Sequence, residues 1–115
     1  MKTHAEDIEQ IKIVHWVRSH TDFLIYANVN QGKRAPMYGA ILKRMGLLAG
    51  VPDLFISEPT KHYHGAYIEV KVGFGKVSEA QADFMFRATQ KGYFATAVWG
   101  GEAGIAVIKE LYNLK

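Results

Sequence analysis

Gly50-Val51-Pro52-Asp53-Leu54-Phe55-Ile56 and, one polar loop later, Tyr67-Ile68-Glu69-Val70-Lys71-Val72 are the two stretches on which the fold turns. The second alternates between apolar and polar positions, the signature of a strand. Residues two apart in a strand point to one face. Glu69 and Lys71 therefore share a face with Tyr67, while Ile68, Val70 and Val72 share the opposite face and are expected in the core. The first stretch opens on a Gly-Val-Pro stop and continues as a short strand from Asp53 to Ile56. Ser57 to Gly65, with Pro59, Lys61, His62 and His64, reads as a polar loop between the two strands. An antiparallel pair follows, and pairing carries Asp53 towards Glu69.

Working outward, Thr3 and Glu6 have capping-box spacing. Ile8, Ile11, Val14 and Val17 then recur at helical spacing, with Trp16 widening the face, and Asp22 ends the segment. Phe23 to Val29 reads as a strand, and Asn30 to Pro36 as a loop holding Lys33 and Arg34. Met37 to Leu48 is expected as a second helix. Beyond the Glu69 strand, Gly73 to Gly75 break the pattern. Ser78 to Lys91 is the clearest helix: Ser78 and Gln81 form a second capping-box pair, Gly92 sits where a C′ glycine belongs, and Phe84, Met85 and Phe86 are expected in the core. Tyr93 to Trp99 is a strand, Gly100-Gly101 a turn, and Glu102 to Tyr112 a terminal helix. The order α-β-α-β-β-α-β-α predicts an α/β fold, a mixed sheet flanked by helices.

The chain of 115 residues suits one domain, 1–115, with no repeat or linker-like stretch. Apolar residues make up 49% and charged residues 22%, a globular balance. The absence of cysteine excludes a disulfide framework, a thiolate zinc site and a cysteine nucleophile. No apolar run is long enough for a membrane span, and from the polar start (Thr3, His4, Glu6, Asp7) no secretory signal is expected. A cytoplasmic location is expected. A formal net charge of +3 permits a polyanionic partner without requiring one.

The chemistry lies in Asp53, Glu69 and Lys71 taken together. Two carboxylates offer hard oxygen ligands that suit Mg²⁺ or Mn²⁺, and the backbone carbonyl of Val70 between Glu69 and Lys71 is a further candidate ligand. A lysine beside them can orient a water or act as a point cation towards developing negative charge. Singly, each piece has an ordinary reading: a Glu-x-Lys strand is usually a solvated face, a Pro-Asp pair a turn, Glu6 or Gln81 a helix cap, and His62 and His64 exposed loop residues. Together, Asp53, Glu69 and Lys71 point to a metal-assisted site.

At these residues the chain resembles a known family. Gly50-Val51-Pro52-Asp53-Leu54, Ile68-Glu69-Val70-Lys71 and the helix opening with Ser78 and Gln81 resemble the PD-(D/E)xK nucleases, and within them the VRR-NUC (virus-type replication-repair nuclease) domain. Met45-Gly46-Leu47 fits the same pattern, as does a first-helix glutamate ahead of Gln10, either Glu6 or Glu9. The resemblance covers nearly the whole chain and is of the stand-alone kind found in phages and bacteria.

The resemblance implies a restriction-endonuclease-like core, with Asp53 and Glu69 on the metal, Lys71 assisting the nucleophilic water and Gln81 supporting the site. Glu6, favoured over Glu9 by its spacing to Gln10, would complete the shell. It also implies Mg²⁺-dependent, structure-selective cleavage of DNA, including four-way (Holliday) junctions, by a homodimer, in the cytoplasm of a bacterium or of a phage-infected host. DNA-phosphate contacts are expected from Lys33, Arg34, Lys43, Arg44, Lys61 and Lys76. The alternatives are a flap- or end-directed nuclease and a non-catalytic branched-DNA-binding module. The latter has no need of Asp53, Glu69 and Lys71 together.

Overall fold

A computed structural model describes residues 4–28 and 36–115. The elements are α1 (His4–His20), β1 (Ile25–Ala27), α2 (Pro36–Arg44), β2 (Leu54–Ile56), β3 (Ala66–Lys71), α3 (Glu79–Gln90), β4 (Phe94–Trp99) and α4 (Gly101–Leu111), in the order the sequence predicts. One four-stranded sheet runs β1-β2-β3-β4. β1–β2 and β2–β3 are antiparallel, and β3–β4 is parallel, with α3 as the crossover. This mixed sheet flanked by helices is compatible with a restriction-endonuclease-like α/β fold.

The alternation in β3 sorts the two faces as expected. Ala66, Ile68 and Val70 are fully buried with Leu54, Ile56 and Val98 against Ile13 and Val17 of α1 and Ile108 of α4. Burial of a side chain such as Ile68 or Val70 contributes about 1.5–3 kcal/mol. The opposite face carries Phe55, Tyr67 and Tyr93, which meet ring to ring, and α3 lays Phe84 on Tyr67 with centroids 5.1 Å apart. That face is therefore covered too, which is why Glu69 is only 4% exposed.

Some local expectations are corrected. In α1 the inward face is set by Ile13 and Val17, backed by Val14 and Trp16, so Ile8 and Ile11 stand out at 44% and 65% exposure instead of lying in the core. Strand β1 spans three residues, not the whole of Phe23 to Val29, and Val29 lies outside the described residues. Helix α2 stops at Arg44 rather than Leu48. Gly46, with φ of +113°, reverses the chain there, while Leu47 N–H donates to the Leu42 carbonyl at 2.9 Å and Gly46 N–H to that of Lys43 at 3.1 Å. This pair of bonds is a Schellman ending, which needs a residue at positive φ. Phe86, expected inside, is 62% exposed.

Candidate active site

The site forms where the β2–β3 ladder ends. The last paired residues are Leu54 and Ile68. Two positions further along this register Pro52 would face Val70, and proline has no N–H to give. The Val70 N–H is taken instead by the Asp53 side chain, which accepts it through Oδ2 at 2.8 Å. A strand residue's N–H and C=O point to the same side. The Val70 carbonyl thus faces the notch beside Asp53, and Pro52 cannot supply its ladder donor. Asn28 at the end of β1 braces the corner: its N–H donates to the Asp53 carbonyl at 2.7 Å and its side-chain amide to the Pro52 carbonyl at 3.1 Å.

Glu69 follows on the α3 side of β3. Its Oε2 accepts from Gln81 Nε2 at 3.0 Å and lies 3.3 Å from Lys71 Nζ, both ions being largely withdrawn from solvent. Gln81 has two partners at once. Its Oε1 accepts the Ser78 N–H at 2.9 Å while Ser78 Oγ accepts the Gln81 N–H at 3.1 Å, closing the capping box. The cap thus fixes which end of the amide faces Glu69.

Gly50 sets how closely α3 approaches. It has φ of +87°, and a Cβ there would overlap the Ala80 carbonyl and come within 2.8 Å of Gln81 N. The glycine of the Gly-Val-Pro-Asp stretch thereby lets the first turn of α3 reach Glu69.

The two first-helix glutamates separate. Glu9 Oε1 accepts the Gly101 N–H at 2.8 Å and so caps α4, and Glu9 Oε2 pairs with Lys12 at 2.9 Å. The Gly101 hydrogen bond, and then Lys12, hold the Glu9 carboxyl below its ordinary range. Glu6 turns the other way: a Cβ built on Gly75 would lie 3.7 Å from Glu6 Oε2 and 3.6 Å from Lys71 Cδ. Glu6 thus stands beside Lys71. Among the described residues, no group of three or more His, Asp or Glu side chains is placed to hold a metal ion.

Asp53, Glu69, Lys71 and Gln81 are therefore brought together, with the Val70 carbonyl facing their notch and Glu6 alongside. The basic residues are not gathered in the same way. Lys76 is exposed just past the site, and Lys43 and Arg44 are exposed on the last turn of α2. Lys61, with His62 and His64, lies in the β2–β3 loop at the far end of a six-residue strand, about 17 Å along its length. Lys33, Arg34 and the Thr3 half of the first capping box lie outside the described residues. Sequence reasoning missed the bracing role of Asn28 and the capping role of Glu9. It also missed Trp99, which pairs in register with Lys71 and donates its indole N–H to the Gly75 carbonyl at 2.9 Å.

With this geometry in place the family can be assigned. The VRR-NUC domain profile matches residues 3–101. The chain belongs to the VRR-NUC domain family. A solved structure of a VRR_NUC domain protein has the same architecture, with a TM-score of 0.81 and 29% identity over 99% of this chain and 93% of that chain. No curated protein matches. As a VRR-NUC domain the chain is a member of a nuclease family that acts on DNA. No helix among the described residues is long and apolar enough to cross a membrane.

Proposed function

We propose that this chain is a divalent-metal-dependent endonuclease that cuts branched DNA, four-way junctions above all, as a homodimer. The observation that carries the reading is the convergence of Asp53, Glu69, Lys71 and Gln81 at the end of the β2–β3 ladder. The donor set suits the cation. Magnesium takes one or two carboxylates and fills its octahedron with water and phosphate oxygens, so two carboxylates and one carbonyl fit it better than a closed protein cage would. Asp53, Glu69 and the Val70 carbonyl would hold the ion, and Glu6, beside Lys71, would reach it through water. Bound there, a divalent cation supplies a nucleophile at neutral pH and neutralises charge on the phosphate.

The protein's own groups do the rest. Gln81 and Lys71 fix the Glu69 carboxylate from two sides, so its lone pairs keep one direction. Lys71 brings an ammonium to the phosphate, where it orients the attacking water or balances developing charge. Lys43, Arg44 and Lys76, all exposed, hold phosphates without reading bases, which supports shape selectivity over sequence selectivity. Two symmetric cuts need two sites related by a two-fold axis, and one chain supplies one such site. The exposed Ile8 and Ile11 on α1 support that helix as part of the dimer contact.

The test is a cleavage panel: a labelled four-way junction, a flap and a linear duplex, each with Mg²⁺, Mn²⁺ or EDTA. Paired symmetric cuts in the junction, abolished by EDTA, are expected. Cutting confined to the flap or the duplex ends would overturn the junction assignment. Binding without cutting under either metal would leave a DNA-binding module.

A further inference from the structure

Phe74 is wholly exposed, at 100%, and it stands three residues after Lys71 in Gly73-Phe74-Gly75. Its turn is held in place. Gly75 N–H donates to the Val72 carbonyl at 2.9 Å, which puts Gly73 and Phe74 at the two corners, and the Gly73 φ of +54°, with Phe74 not at positive φ, is the pattern of a type II′ turn. The Trp99 indole pins the far side through the Gly75 carbonyl. Gly75 packs beside Lys71 and Glu6. A hollow lined by Ile8, Glu9, Val72, Gly73 and Trp99 adjoins the same turn. A full aromatic side chain is thus presented to water on a fixed turn at the rim of the candidate site.

We infer that Phe74 stacks on an unpaired or unstacked DNA base next to the phosphate held at Lys71, and that this contact selects branched over intact duplex DNA. The inference rests on the nuclease reading above and deepens it. Three residues of chain keep the Phe74 backbone within about 10 Å of the Lys71 backbone, near enough for its ring to meet the base of an adjoining nucleotide. Exposed Lys76, two positions on, gives the turn a cation for the same strand. Every base has a π-face, so an aromatic platform is tolerant of sequence. In an intact duplex those faces are covered by their neighbours, whereas at a branch point or distorted step one can be offered to the ring.

The test is binding, measured in EDTA so that no cutting is needed. Fluorescence anisotropy would compare a four-way junction with a duplex of the same sequence for the unmodified protein, Phe74→Ala, Phe74→Leu and Phe74→Trp. Phe74→Ala should weaken junction binding about five- to a hundredfold, with duplex binding changed by less than about twofold. Phe74→Trp should retain binding, and Phe74→Leu, which keeps apolar bulk but loses the π-face, should not. Light-induced cross-linking of 5-iododeoxyuridine placed at the branch should map to Phe74. Unchanged junction binding in Phe74→Ala, or equal loss on both DNAs, would overturn the inference. So would a fall in the solution mass of Phe74→Ala, which would make the ring a contact with a second copy. If the unmodified protein binds junctions in this way but cuts under no metal, the nuclease reading fails while the stacking contact stands.

Discussion

Replacing Gln81 by methionine keeps the side chain's length and removes both ends of its amide. The carbonyl end accepts the Ser78 N–H at a solvent-exposed cap, and the amide end donates to the partly buried Glu69 carboxylate. A neutral bond at the surface is worth about 0.5 kcal/mol and a charge-assisted one about 1.5 kcal/mol. Methionine and glutamine are near-equal helix formers, so propensity cancels. The sum is about 2 kcal/mol, or roughly 6–12 °C in Tm for a domain of this size. Ser78→Ala is the control. It removes the hydroxyl that accepts the Gln81 N–H, costing about 1 kcal/mol, but leaves the hold on Glu69. Both variants should thus lose stability, and only Gln81→Met should lose cleavage rate, by about 10–100-fold per folded molecule. Thermal unfolding by circular dichroism and single-turnover cleavage in one buffer measure the two quantities. Wild-type cutting by Gln81→Met, or equal rate loss in Ser78→Ala, would refute the claim that Gln81 positions Glu69.

Gly50→Ala should cost about 3 kcal/mol or more, from a non-glycine residue at positive φ and from overlap with the Ala80 carbonyl, read by denaturant unfolding and accompanied by reduced cleavage. Glu9→Gln should erase a pH dependence. The carboxyl is held low in the folded chain, so its contribution is present above the ordinary carboxylate range and is lost as pH falls through the folded value; the stability gap between wild type and variant, measured by unfolding across acid pH, should close on acidification. Tyr112 donates to the Glu58 carbonyl at 2.9 Å, and burial pushes its phenol up to about 12. Tyr112→Phe should lose about 1 kcal/mol below pH ~10, and the gap should narrow as pH rises from there towards about 12, because the raised phenol stabilises the folded chain only while protonated.

The antiparallel pairing of β2 with β3 and the shared face of Glu69 and Lys71 were legible because both follow from period two. Alternation in Tyr67 to Val72 assigned each side chain a face, and Pro52 marked where pairing must stop. The face that buries on α1 was not legible, because Ile8 and Ile11 fit a helical period as well as Ile13 and Val17 do, and only the packing of α1 on the sheet and α4 decides between them. The early end of α2 had a readable signal in Gly46, a glycine at C′ ahead of an apolar residue. Gln81 reads as a cap from its spacing and as a site residue from the family resemblance; its amide has two ends, and each makes one of those bonds. Glu6 and Glu9 end up in different surroundings, near Gly75 and on Gly101, 69 and 92 residues away in the chain, which no local pattern encodes. The same holds for Asn28 and Trp99.

Asp53, Glu69 and Lys71 are proposed to form a metal-dependent cutting centre. Its most direct test is single-turnover cleavage of a four-way junction in EDTA and after Mg²⁺ is added back, for wild type, Glu69→Gln and Lys71→Met, each first shown to unfold cooperatively. Wild type should cleave only when Mg²⁺ is restored, and both variants should lose about a hundredfold or more. Cutting that persists in EDTA, or at wild-type rate in either folded variant, would contradict that assignment.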